Sequence, residues 1–185
     1  MTKYLAYGSN LDRAQMDQRC PGATVVKTFL LNDWRLVFRG VADIIKAKGF
    51  KVPVAIWDIT KAHERTLDIY EGVNPKVAKA GMYRKHYLDI GGTRVLVYLM
   101  NHKGFARPSS AYYGGIERGY IDLSLPLEKL DEAFCHADEK QKKPGVGRGA
   151  ARTYKTVRAK RDNNVLSLAQ SYAPGVHWPT DPWEH

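Results

Sequence analysis

Apolar and polar residues change period several times along this 185-residue chain, and the changes mark its elements. A short apolar run, Tyr4-Leu5-Ala6, predicts a strand, and Tyr7-Gly8-Ser9-Asn10-Leu11 follows at once as a tight glycine turn. Asp12–Met16 then reads as the first turns of a helix. Past Cys20-Pro21-Gly22 come four apolar, β-branched stretches: Thr24–Leu31, Trp34–Phe38, Val41–Ile45 and Val52–Ile59. Asn32-Asp33, Arg39-Gly40 and Lys48-Gly49 separate them as hairpin-like connections. Thr60 is a candidate N-cap for a helix over Lys61–Tyr70, with Leu67 and Tyr70 spaced to face a core and Gly72 placed for a C-cap. Two further strands, Tyr83–Ile90 and Arg94–Met100, meet at Gly91-Gly92, which suits a hairpin turn. Ser109 and Ser110 open a helical stretch to about Leu123, and Pro126 starts another to about Ala137. Several antiparallel strands carrying a few helices predict an α+β fold, a small, mostly antiparallel β-barrel with flanking helices.

From Lys140 this patterning gives way to Lys-Gln-Lys-Lys-Pro-Gly-Val-Gly-Arg-Gly, so residues 1–138 are expected to form one domain and 139–185 a basic C-terminal extension. The charge is as uneven as the pattern. Of the net +10, residues 140–162 carry +8, with nine Lys and Arg against Asp162 alone. The body is therefore nearly neutral, and the extension leaves room for a nucleic-acid or other polyanionic partner without making one the expected main function. Its Gly145-x-Gly147-x-Gly149 is no phosphate loop, because no strand precedes it and no Lys-Ser/Thr follows.

The remaining composition excludes classes rather than choosing one. No apolar run approaches the roughly 20 residues a membrane helix needs, and no signal peptide pattern precedes the first strand. Two distant cysteines, Cys20 and Cys135, argue against a disulfide framework and for a reducing cytoplasm. No histidine or cysteine spacing suits a metal.

Two places carry chemistry. Backbone N–H groups where a strand turns through Gly8 into a helix have no internal partners, so this turn is an anion cradle, with Ser9 and Asn10 adding side chains. The bland alternative is an ordinary turn with Ser9 or Asn10 as N-cap. The second place is Glu71, at the last turn of a helix and beside Leu67, Tyr70 and Val73. The negative helix end and apolar neighbours both disfavour its ionised form, which moves it towards proton exchange near neutral pH. A helix-terminal glutamate is ordinarily a solvated surface residue.

Taken together, Tyr7-Gly8-Ser9-Asn10-Leu11, Leu67-Asp68-x-x-Glu71-Gly72-Val73, Gly81-Met82-Tyr83, Tyr98-Leu99-Met100, Ala106–Tyr112 and Leu125-Pro126-Leu127-Glu128 resemble the γ-glutamylcyclotransferase family, in the same order and over roughly residues 4–136. The resemblance implies a small β-barrel with flanking helices, no cofactor, and cyclisation of the γ-glutamyl group of a small amino acid or amine conjugate to 5-oxoproline. It puts the catalytic glutamate on Glu71, the substrate loop on Tyr4, Leu5, Ala6, Tyr7, Gly8, Ser9 and Asn10, and a further substrate-contacting tyrosine on Tyr112. Tyr83 and Tyr98 are either pocket walls or core aromatics. Such chemistry needs no nucleophilic serine, and no Gly-x-Ser-x-Gly elbow is present, so Ser9 is assigned to binding. One departure stands beside the expected site: Asn74–Ala80 separates Glu-Gly-Val from Gly-Met-Tyr. The rival function is a polyanion-binding protein that uses residues 140–162 on an inactive cyclotransferase scaffold. Monomer and homodimer, and a lid, a dimer contact or a free tail for residues 140–185, stay open.

Overall fold

A computed structural model describes residues 1–141. Its strands are β1 (Thr2–Ala6), β2 (Thr24–Phe38), β3 (Ala42–Ile59), β4 (Tyr83–Ile90) and β5 (Thr93–Met100). Its helices are α1 (Arg13–Arg19), α2 (Lys61–Tyr70), α3 (Ser110–Asp122) and α4 (Leu127–Gln141), with 3-10 turns at Ser9–Leu11 and Ala78–Ala80. The basic segment 140–162 and the rest of the extension lie outside the described residues, apart from their first few positions.

The five strands form one sheet in the order β2-β3-β1-β5-β4. β1 lies at its centre, which explains why Tyr4, Leu5 and Ala6 are apolar without alternating: a central strand is covered on both faces. β5 beside it is buried from Val95 to Met100 for the same reason. Three of the four pairings are antiparallel and β1–β5 is parallel, with Tyr4 opposite Leu96. The expected α+β class holds, but the barrel does not close. β2 and β4 are the two edges, no ladder joins them, and α4 packs against β2 instead.

The four expected strands between residues 24 and 59 are two long ones. Asn32-Asp33 is not a hairpin turn but faces an irregularity of the ladder: Asn32 pairs with Lys51 and Trp34 with Lys46, so the extra residues lie on β3 between Lys46 and Lys51. Asp33 takes φ 61° there and its carboxylate accepts the Gly49 N–H at 2.9 Å, so the irregularity is satisfied and the ladder resumes. The true reversal is at Arg39–Val41, with Gly40 at φ 85°.

α2 begins on a capping box: the Thr60 hydroxyl accepts from the His63 N–H at 3.1 Å, and His63 Nδ1 accepts from the Thr60 N–H at 3.4 Å. It ends as the glycine predicts. Gly72 adopts φ 61°, its N–H reaches Ile69 O at 3.1 Å, and Val73 N–H reaches Asp68 O at 2.9 Å. This is a Schellman cap, with Glu71 as the C-cap residue just past Tyr70. α3 starts at Ser109, whose hydroxyl caps the Tyr112 N–H at 3.2 Å.

Candidate active site

Gly8 leaves β1 at φ −120° and ψ −138°, and a Cβ there would stand 3.0 Å from that of Ala42. The next three residues form a 3-10 turn, closed by Leu11 N–H to Gly8 O at 2.9 Å. α1 is capped by Asp12, which accepts from the Ala14 N–H at 3.0 Å. With that capping role taken, Ser9 and Asn10 are free to act sideways, and both are buried. Arg118 and Gln15 also donate to Asp12; burial opposes its ionised form, but these bonds prevail and hold its carboxyl below the usual range.

Asn10 links the turn to α2. Its amide nitrogen donates to Tyr4 Oη at 2.7 Å and to Glu71 Oε1 at 3.1 Å. Its oxygen accepts from Arg19, which fixes which way the amide faces. Arg19 also donates to Ser9 Oγ at 3.3 Å, to Gln15 Oε1 at 2.6 Å and to Tyr70 Oη at 2.6 Å. Glu71 therefore sits at a helix end whose carboxyl turns inward. Burial pushes it from the ordinary 4.5 up to about 7, against the opposing pull of the Arg19 charge and the Asn10 hydrogen bond.

Around this carboxyl is a cavity of about 110 Å³ walled largely by tyrosines. Tyr4, Tyr7, Gly8, Ser9 and Asn10 line one part, Tyr83, Tyr98 and Tyr112 another, and Val41, Ala42, Tyr70 and Met82 complete it beside Glu71. Each buried phenol has a partner. Tyr7 donates to Tyr98 O at 2.6 Å, Tyr83 to Ala42 O at 2.5 Å, and Tyr98 to Asp68 Oδ1 at 2.8 Å. Tyr112 Oη accepts the Ala42 N–H at 3.2 Å, so two tyrosines grip the start of β3 from opposite sides of one residue. Burial pushes all five phenols, Tyr4 included, above their usual range, so they stay neutral near pH 7.

Of the residues singled out from sequence, Leu5 and Ala6 are buried in the core and do not line the cavity. Tyr83 and Tyr98 are at once core aromatics and cavity walls. Arg19, Tyr70, Met82 and the Val41–Ala42 pair were not foreseen. The spacing of Gln15 and Arg19 one turn apart hinted at their pairing, but nothing in the pattern tied Arg19 to the turn behind it. Among the described residues, no group of three or more His, Cys, Asp or Glu is placed to hold a metal ion, and no helix is long and apolar enough to cross a membrane.

Comparison with known proteins bears on the family and the fold. The family model for "Gamma-glutamyl cyclotransferase, AIG2-like" matches residues 4–117. A human γ-glutamylcyclotransferase is 31% identical over 142 residues, covering 68% of this chain and 73% of that protein. The bovine γ-glutamylcyclotransferase is 30% identical with the same coverage. A solved γ-glutamyl cyclotransferase structure superposes with a TM-score of 0.59 at 24% identity, over 84% of this chain and 98% of that one. YkqA from Bacillus subtilis gives 0.58 at 24% identity, over 77% and 56%. The two structural likenesses concern the fold, whereas the family match spans more than half of the sequence, and on that match the chain belongs to the γ-glutamylcyclotransferase family.

Proposed function

We propose that this family member is an enzyme that cyclises the γ-glutamyl group of a small γ-glutamyl amino acid or amine to 5-oxoproline, with Glu71 as general acid and base. The observation that carries the reading is the position of Glu71: a carboxyl that burial brings to titrate near 7, hydrogen-bonded to Asn10 and facing a cavity walled by neutral phenols.

The chemistry follows from that placement. An α-ammonium cannot attack until it loses a proton, and a carboxylate titrating near 7 is matched to take it. The freed amine nitrogen forms a bond to the γ-carbonyl carbon of the same molecule, closing a five-membered ring; the reactants are tethered, so much of the entropic cost is already met. Negative charge then gathers on the carbonyl oxygen. The N–H groups of Ser9 and Asn10 precede the first hydrogen bond of their 3-10 turn and have no acceptor within it, so they can receive that oxygen. As the C–N bond to the leaving group breaks, Glu71 returns its proton to the departing nitrogen, and the ring nitrogen, which still carries two hydrogens, gives up one as a proton to the released amine, leaving a neutral lactam and an ammonium product. No electrons leave the substrate, and the two kinds of help it draws on are proton transfer at Glu71 and the N–H groups that meet the oxyanion. Among the described residues no Lys or Arg lines the cavity, so of these it is hydroxyls and amides that are placed to hold the α-carboxylate.

The test is to incubate the full chain with γ-glutamyl dipeptides and amines and measure 5-oxoproline by mass spectrometry. Glu71→Gln keeps the acceptor for Asn10 but cannot exchange a proton; turnover is expected to fall by at least a hundredfold. Unchanged turnover in Glu71→Gln would remove Glu71 from the mechanism.

A further inference from the structure

Burial divides the cavity into two parts. Tyr4, Tyr7, Ser9, Asn10, Tyr83 and Tyr98, the deep part, are each less than a tenth exposed. Two of the lining residues instead reach solvent: Tyr70 is 50% exposed and Met82 is 44% exposed. Both are tied to Glu71 through the backbone. Tyr70 precedes it on α2, and the Met82 N–H donates to Gly72 O at 3.0 Å while the next N–H, of Tyr83, reaches Glu71 O at 3.3 Å. The mouth of the cavity beside the acid–base group is therefore an apolar pair.

In the proposed reaction the leaving nitrogen takes its proton from Glu71, so it must lie within hydrogen-bond reach of that carboxyl. The deep part, at about 110 Å³ for the whole cavity, leaves little room beyond a γ-glutamyl head. Whatever substituent the leaving nitrogen bears must then emerge past Tyr70 and Met82. Charge at the mouth argues in the same direction. Among the described residues, the only charged one in the lining is Glu71, which repels an acidic leaving group when ionised; the Arg19 guanidinium behind Tyr70 is engaged by Ser9, Asn10, Gln15 and Tyr70, and Lys76 and Lys79 on the exposed turn after Gly72 are absent from the lining.

We infer that Tyr70 and Met82 form a subsite for the side chain of the leaving group, and that the enzyme selects γ-glutamyl compounds whose leaving amine carries a branched aliphatic or aromatic side chain over small or acidic ones. The inference rests on the reading of Glu71 given above. Tyr70 is prepared for this role: the Arg19 guanidinium stacks 3.7 Å from its ring centroid and donates to its hydroxyl, so the ring is ordered before anything docks on it. Met82 supplies a flexible thioether that conforms to differently shaped side chains. A contact made alike in ground and transition states lowers KM and leaves kcat almost unmoved.

The experiment compares kcat and KM of the full chain on γ-glutamyl-glycine, γ-glutamyl-leucine, γ-glutamyl-phenylalanine and γ-glutamyl-glutamate, reading 5-oxoproline. Leucine and phenylalanine compounds are expected to exceed the other two by about tenfold in kcat/KM, carried by KM, as partial burial of such side chains provides. Met82→Ser, a change at an exposed position away from Arg19, is expected to reduce that preference to about twofold. An active enzyme that ranks the four equally, or favours glycine or glutamate, overturns the subsite while leaving the cyclisation intact. A preference that survives Met82→Ser and Tyr70→Gln undiminished also overturns it. No 5-oxoproline from any of the four, in folded protein, overturns the reaction itself.

Discussion

Several groups face the carboxyl of Glu71 and pull its titration in opposite directions. Burial raises it, the Arg19 charge and the Asn10 amide lower it, and the phenols of Tyr4, Tyr7, Tyr83, Tyr98 and Tyr112 stand around it neutral. Arg19 acts doubly, since its charge is felt directly and its bond to the Asn10 oxygen keeps the amide nitrogen aimed at Glu71. Replacing it in Arg19→Met removes both influences. The Glu71 titration is expected to move above 7, visible by carbon NMR of the labelled side chain and as an alkaline displacement of the kcat/KM profile, with about tenfold lost at fixed pH below the limb for each pH unit. An unmoved profile would contradict this role. Glu71 and the turn from Tyr7 to Asn10 could be read from sequence because each is a local feature, a helix end and a glycine turn. Arg19 could not, because its partners Ser9, Asn10 and Tyr70 are gathered only when α1 and α2 are brought side by side.

At the scale of elements, the site depends on how closely α3 approaches the 3-10 turn. A Cβ on Gly119 would lie 2.5 Å from the carbonyl carbon of Leu11 and 2.6 Å from the Asp12 nitrogen, both backbone atoms that have nowhere to go. Gly119→Ala must push α3 outward, carrying Tyr112 and the Arg118 bond to Asp12 with it. We expect a loss of about 1–3 kcal/mol, seen as a lowered Tm, together with a raised KM. Gly114→Ala in the same helix meets nothing within 4 Å and should be neutral or slightly stabilising by about 0.5 kcal/mol; equal losses at both positions would disprove the packing argument. Most elements were legible from capping residues and apolar runs, and α2 was anticipated from Thr60 to Gly72. The division of β2 and β3 was misread. Asp33 and Gly49 look like turn formers, but across a paired partner strand a positive φ makes a bulge as readily as a reversal.

For the whole molecule, two glutamates set opposite limits on stability. Glu64 is buried at the α2–β4 junction; burial opposes its charge, but hydrogen bonds from Lys61 and Lys85 prevail and bring it down to about 2. Its contribution is present above the ordinary 4.5 and is lost as pH falls towards 2. Glu71 has the reverse sign: with a folded value near 7, its contribution is full below 4.5 and is lost as pH rises through 7. At about 1.4 kcal/mol per pH unit, ionising Glu71 costs the fold up to about 3 kcal/mol. Stability from this pair is greatest near pH 5, whereas the base form needed for turnover accumulates only as that stability is surrendered. Tm is expected to fall by about 5–10 °C between pH 5 and 8, and Glu71→Gln to abolish most of that fall; parallel curves for the two proteins would refute it. Strand order was the least legible property at this scale. The parallel pairing of β1 with β5 sets Lys3 opposite Val95 and Tyr4 opposite Leu96, far apart in sequence, and no local period encodes it.

The hydrogen bond from Met82 N–H to Gly72 O has a consequence for the stretch between them. It closes the chain at its base, and Asn101 adds a second fastening through its amide to Ala78 O and Gly81 O at 2.8 and 2.9 Å. Residues 74–80 thus hang as an appendix from a sealed neck, beyond which Glu71 and Tyr83 keep their positions. Such a neck lets descent lengthen, shorten or recharge the appendix while the proton-transfer group stays in place. It also marks the spot at which a foreign peptide can be spliced into this fold.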